Sequence, residues 1–153
     1  MYRRLRELRT PPARRVAARR LFAFLCDEGR LVEWRDGLVA CRRLDDAPDG
    51  SSRRYAETIE TPLGRQTVTV AIVADPVAQR LAFEVLDGPV RPHGELVLRA
   101  AGTGSDVTYR ITYTTRLPVR TPLDRPVFSA LVGNVDRSLE RLQRVLSAKA
   151  VID

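Results

Sequence analysis

Histidine, lysine and cysteine are nearly missing from this chain of 153 residues, which has one histidine (His93), one lysine (Lys149) and two cysteines (Cys26 and Cys41). So few ligating groups, placed far apart and without partner motifs, leave no zinc spacing, no Ser/His/Asp set and no disulfide framework. No metal and no cofactor is expected, and both cysteines read as free, buried thiols. His93 shares strand parity with Glu95 rather than with Leu96 and Leu98, so it reads as a rim or solvent residue. Glycine is scarce as well, and Gly102 and Gly104 read as hairpin glycines, not a phosphate-binding loop. No apolar run approaches the roughly 18 residues of a membrane span. The N-terminus lacks a charged-then-apolar signal pattern, so a cytoplasmic location is expected.

Arginine is what the chain has in excess. The net charge is +7, and residues 1–20 account for all of it, with eight arginines (3, 4, 6, 9, 14, 15, 19 and 20) against Glu7. Such a segment can touch nucleic acid or an anionic membrane, or can simply be a solvated face. The near absence of lysine points to a general bias toward arginine. A hydrophobic fraction of 44% and a charged fraction of 29% suit a soluble globular protein. The expectation is one domain over 1–153, with 1–12 a basic N-terminal arm or a poor first strand.

Apolar periodicity organises the rest. Phe128, Leu131, Val132, Val135, Leu139, Leu142, Val145 and Leu146 recur at three- and four-residue intervals and predict a helix over 124–149 with one buried face. Asp124 is placed to cap it, and Pro126 falls in the first turn, where no donor is lost. A shorter helix is expected from Ala13 to about Asp27, then one turn over 31–34 closed by Asp36-Gly37. Tyr2 to Arg9 has no clean period, since Leu5 and Leu8 suit a helix better than a strand. From Leu38 the period becomes two, with turn signals at 48–51, 63–64, 75–76, 88–89 and 102–105. Six strands with short connections predict an antiparallel meander.

Hairpin arithmetic assigns the faces. A tight turn centred on Asp49-Gly50 would pair Arg42 with Glu57 and Leu44 with Tyr55. One centred on Leu63-Gly64 would pair Ile59 with Val68, and one on Thr103-Gly104 would pair Leu98 with Tyr109 and Gly94 with Tyr113. Opposed residues share a face. The concave face would then carry Tyr55, Val68, Val70, Ile72, Phe83, Leu96, Leu98, Tyr109, Ile111 and Tyr113, and the closing helix would bury itself there.

Local text agrees with that layout. Leu21 to Asp27 resembles the first-helix ending of the START-like, or polyketide cyclase/dehydrase (Bet v 1-like), superfamily, and Leu31-Val32-Glu33-Trp34 resembles its tryptophan before the second strand. Asp75-Pro76 through Phe83 is similar to its turn between middle strands, and Gly102 to Tyr109 to its glycine-rich turn followed by a threonine strand. The resemblance covers about residues 16–148. It implies an α+β helix-grip fold, a curved antiparallel sheet of six to seven strands wrapped around a long C-terminal helix. It also implies an apolar cavity for a lipid, polyketide or isoprenoid-like molecule, bound and carried or turned over by cyclase, dehydratase or aromatase chemistry. One branch of the superfamily suggests docking on RNA or ribosomes.

Candidate ligand-binding residues are Trp34, Tyr55, Phe83, Leu98, Tyr109, Tyr113, Phe128 and Leu131. Trp34 could cap the core or roof the cavity mouth, and the inward tyrosines bring hydroxyls that burial must satisfy. Gly94 opposite Tyr113 would leave space beside that ring. Glu57 and Arg42 are the candidate catalytic pair, an inward carboxylate held by arginine that could orient a polar head group. The oligomeric state is not indicated.

Overall fold

The computed structural model describes residues 2–9, 18–62, 64–101, 104–115 and 124–147. The period-two text from Leu38 onward forms β2 (Leu38–Arg43), β3 (Arg53–Thr61), β4 (Gly64–Asp75), β5 (Arg80–Val85), β6 (Val90–Ala101) and β7 (Gly104–Thr115). Preceding them is β1 (Tyr2–Arg9), and the seven strands form one antiparallel sheet in the order β1-β7-β6-β5-β4-β3-β2. Among the described residues the helices are α1 (Ala18–Cys26), the single turn α2 (Leu31–Trp34), entered through a 3-10 turn at Glu28–Arg30, and α3 (Asp124–Ser147). This is the helix-grip arrangement. Among the described residues no helix is long and apolar enough to cross a membrane.

β1 corrects the helical leaning of Tyr2 to Arg9. It pairs with β7 over its whole length, from Tyr2 opposite Tyr113 to Arg9 opposite Asp106. The backbone bonds that β7 offers outweigh a spacing of two leucines. Residues 10–12 of the expected arm, and the first turn of the helix expected from Ala13, lie outside the described residues.

Registers shift by small steps, and parity decides what each step does. The β3–β4 pairing sets Glu57 opposite Val68 and Tyr55 opposite Val70. The β6–β7 pairing sets Leu98 opposite Val107 and Leu96 opposite Tyr109. Both differ from the expected pairs by two residues, so every side chain keeps its face. Between β2 and β3 the difference is one residue: Arg42 lies opposite Ala56, and Cys41 takes the place opposite Glu57. The cause is the connection, a wider loop in which Ala47 N donates to Ser52 O at 3.0 Å and Gly50 N to Ala47 O at 2.7 Å. It is not a two-residue turn. Arg42 is therefore exposed on the outer face, and the expected Arg42–Glu57 pair does not exist.

The core is asymmetric. Val135, Leu139, Leu142 and Leu146 of α3 are buried in one cluster with Leu21 and Leu25 of α1, Trp34, and Leu96, Leu98, Val107 and Ile111 of the sheet. Each such side chain stabilises by roughly 1.5–3 kcal/mol before entropy. Val68, Val70 and Val85 of β4 and β5 form a second cluster, linked to the first through Ile59, Ile72 and Phe83. The closing helix thus does not bury itself against the whole concave face. Between the two clusters lies a cavity.

Candidate functional site

The cavity has a volume of about 130 Å³. Its walls are largely apolar, with Val68, Val70, Ile72, Leu81, Phe83 and Val85 on the sheet side and Leu25, Leu31, Trp34 and Val135 on the helical side. Polar groups enter from two directions. Glu57 comes from the middle of β3, with only 1% of its surface exposed. Opposite it comes Arg35, whose Nη1 donates to Glu57 Oε1 at 2.7 Å. The Arg35 side chain keeps 30% of its surface accessible, and it lines the cavity.

Local structure explains why Arg35 points there. The turn α2 ends at Trp34, Arg35 adopts an extended backbone (φ −75°, ψ 117°), and its N–H closes the turn on Leu31 O at 2.9 Å. Asp36 is then fastened to α3 by four contacts. Its N–H donates to Ser138 Oγ at 2.9 Å, its carbonyl accepts from Asn134 Nδ2 at 2.7 Å, and its carboxylate meets Arg137 at 2.7 Å and Arg141 at 3.7 Å. Gly37 follows at φ +79°, where a Cβ would sit 2.9 Å from Asn134 Nδ2 and 3.2 Å from Glu60 O. The segment is held on both sides, and the arginine projects inward.

Burial works against the charge of Arg35, but the Glu57 carboxylate and Tyr109 outweigh it and hold the guanidinium more firmly protonated than usual. Tyr109 stacks on Phe83 with ring centroids 5.9 Å apart. Burial raises its hydroxyl above the ordinary tyrosine value, Arg35 opposes that shift and Glu57 adds to it. Tyr109 is thus a protonated donor at neutral pH. Tyr113, 2% exposed, is also pushed up, first by burial.

The other expected site residues are placed as follows. Tyr55 lines the cavity, but its hydroxyl accepts from Arg43 Nη1 at 2.7 Å and that guanidinium lies 5.0 Å over its ring. Trp34 is 2% exposed, both packed in the core and lining the cavity, and its Nε1 has no partner among the described residues. Phe83 lines the wall, while Leu98 sits in the main core cluster and does not line the cavity. The side chains of Phe128, Leu131 and Asp124 lie outside the described residues. His93 is exposed. Gly94 lies opposite Ile111, not Tyr113, and a Cβ there would fall 2.1 Å from Arg110 O, so the glycine lets strands approach and opens no space. Arg35 is the functional candidate that sequence reasoning missed. Its one signal is its place between Trp34 and the Asp36-Gly37 turn, which an arginine-rich chain easily hides.

Both cysteines are free. Burial, then the Glu57 carboxylate, push the Cys41 thiol up to about 11 against Arg35, and burial raises Cys26 against Arg53. Since the thiolate is the nucleophile, Cys41 should be alkylated about a hundredfold more slowly than an ordinary thiol at pH 8, and the rate should climb until about pH 11. Iodoacetamide labelling followed by peptide mass spectrometry checks this. Fast labelling at pH 8 would mean that the Cys41–Glu57 environment is open to water. Among the described residues no group of three or more metal-ligating side chains comes together.

The family model described as polyketide cyclase / dehydrase and lipid transport matches residues 14–147. No curated protein sequence matches. Among solved structures, an aromatase/cyclase named Zhui from a Streptomyces species is 12% identical, with a TM-score of 0.78 over 95% of this chain and 93% of that one. A Thermus thermophilus protein is 20% identical, with a TM-score of 0.74 over 97% of both chains. A START superfamily protein from Mycobacterium smegmatis is 13% identical, with a TM-score of 0.70 over 95% and 97%. At these identities the likeness is one of fold.

Proposed function

The chain belongs to the polyketide cyclase / dehydrase and lipid transport family, and we propose that it binds and carries a hydrophobic small molecule in the cavity between β3–β5 and the helices. The observation that carries this is an apolar-walled cavity with an ion pair, Arg35–Glu57, set into it. Apolar walls supply affinity and a few placed polar groups supply orientation, which is the usual design of a small-molecule site. Free thiols at positions 26 and 41 suit a reducing cytosol. Contacts with nucleic acid or an anionic membrane form no part of the proposal, since residues 2–9 are a paired strand.

The test is native mass spectrometry of the protein purified from cells under mild conditions. A discrete adduct, released on unfolding, is the expected result. Adduct-free protein that also fails to take up an environment-sensitive apolar dye in a saturable way would overturn the reading.

A second reading, cyclase-like catalysis in the same cavity, is favoured by the carboxylate of Glu57 sharing it with the Tyr109 hydroxyl. Glu57 would take a proton from carbon beside a carbonyl, and Tyr109 would donate to the oxygen receiving the electron pair. A proton taken by Glu57 would leave the Arg35 charge without its counter-ion in an apolar-walled cavity, and so binding is placed ahead of catalysis. Glu57→Gln abolishing turnover while leaving binding intact would reverse that order.

A further inference from the structure

Resting on the binding reading above, we infer that the molecule this cavity selects is uncharged, about one ring in size, and presents both a hydrogen-bond donor and an acceptor to Arg35, Glu57 and Tyr109. Size comes first. The cavity holds about 130 Å³, while an apolar protein cavity of about 150 Å³ accommodates benzene and drug-sized ligands use roughly 300 Å³ or more. A fused polycycle or a long acyl chain does not fit these walls as they stand.

Charge comes second. Arg35 and Glu57 neutralise each other at 2.7 Å. A carboxylate or ammonium entering the cavity would leave water without gaining an unopposed counter-ion, and an uncompensated buried charge is strongly disfavoured. The pair thus screens against ions of both signs.

Hydrogen-bonding capacity comes third. Glu57 Oε1 accepts from Arg35, but Oε2 makes no hydrogen bond among the described residues, and neither does the Tyr109 hydroxyl. Arg35 uses one of its five N–H groups on Glu57. Glu57 and Tyr109 both line the cavity, where a few placed polar groups orient a ligand. A ligand oxygen that accepts from both Arg35 and Tyr109, next to a hydroxyl that donates to Glu57 Oε2, completes all three. A phenolic ketone has that pattern.

The full chain can be titrated calorimetrically and by thermal shift with 2-hydroxyacetophenone, acetophenone, ethylbenzene, benzoate, benzylamine, 1-hydroxyanthraquinone and palmitate. The hydroxyketone should bind saturably and roughly tenfold or more tighter than ethylbenzene, with acetophenone between them. Benzoate and benzylamine should not bind, and the two large probes should bind worse than the hydroxyketone. Glu57→Gln leaves Arg35 unopposed, so this variant should gain benzoate binding and lose the preference for the hydroxyl. Tyr109→Phe should weaken both ketones several-fold without changing ethylbenzene, which keeps the idea testable should Glu57→Gln fail to fold. Benzoate, palmitate or the anthraquinone binding the parent protein more tightly than the hydroxyketone would overturn this inference and leave the binding reading standing. No saturable binding of any probe, together with adduct-free native protein, would take the binding reading down with it.

Discussion

Replacing Gly94 by alanine should destabilise the domain by about 3 kcal/mol and lower its Tm by roughly 6–12 °C. The added methyl would lie 2.1 Å from Arg110 O, 3.0 Å from Ile111 Cα and 3.1 Å from Arg110 C, all backbone atoms. No rotamer change relieves such a contact, so β6 and β7 must part at the row joining Gly94 to Ile111. Ile111 lines the cavity and Tyr109 sits two residues before it, so cavity binding should weaken along with stability. Gly133→Ala makes the contrast. Its methyl would meet Arg137 Nη1 at 2.9 Å, the far end of a flexible side chain, while gaining about 1 kcal/mol of helix propensity in α3. Calorimetric unfolding of both variants reads the difference directly. Equal Tm values would mean that β6 and β7 are not as close at Gly94 as described.

The same strand pair shows how far the sequence could be read. Centring the β6–β7 turn one position late shifts each pairing by two, and Leu96, Tyr109 and Ile111 still face inward. The β3–β4 turn behaves the same way, so Tyr55, Glu57, Val68 and Val70 were legible as one face. Parity survives an even error. The β2–β3 loop introduces an odd one, because Asp49-Gly50 sits inside a wider loop whose extra hydrogen bonds no dipeptide signal reveals. That single step removes Arg42 from the interior and puts Cys41 beside Glu57. Arg35 escaped for a different reason. It is brought inward by a latch joining Asp36 to Asn134, Arg137 and Ser138, about a hundred residues away, and local pattern does not encode such a contact. β1 was illegible because strand formation there depends on β7, and tertiary pairing overrides weak local preference. Size was also out of reach. The stripe on α3 could seal a core or roof a pocket, and the separation of the β4–β5 valines from the main cluster decides that it does both.

Arg35→Met should cost about 3–5 kcal/mol, the usual result of stranding one partner of a buried ion pair. Glu57 is 1% exposed and Arg35 is its hydrogen-bond partner among the described residues, so the remaining carboxylate would have no counter-charge. The double variant Arg35→Met/Glu57→Leu removes both charges and should return to within about 1–2 kcal/mol of the parent, or exceed it, because apolar replacement of a whole buried pair is often neutral or stabilising. Denaturant unfolding of the parent, both single variants and the double closes the cycle, and a coupling of several kcal/mol is expected. An Arg35→Met variant as stable as the parent would show that Glu57 is reached by water and that the cavity's polar end is not sealed. If the cycle comes out as expected, the pair is not there for stability, since leucine and methionine would serve as well. Its retention in the cavity wall is then explained by what it does to a ligand. The double variant should lose discrimination between the hydroxyketone and acetophenone while keeping the apolar affinity of its walls.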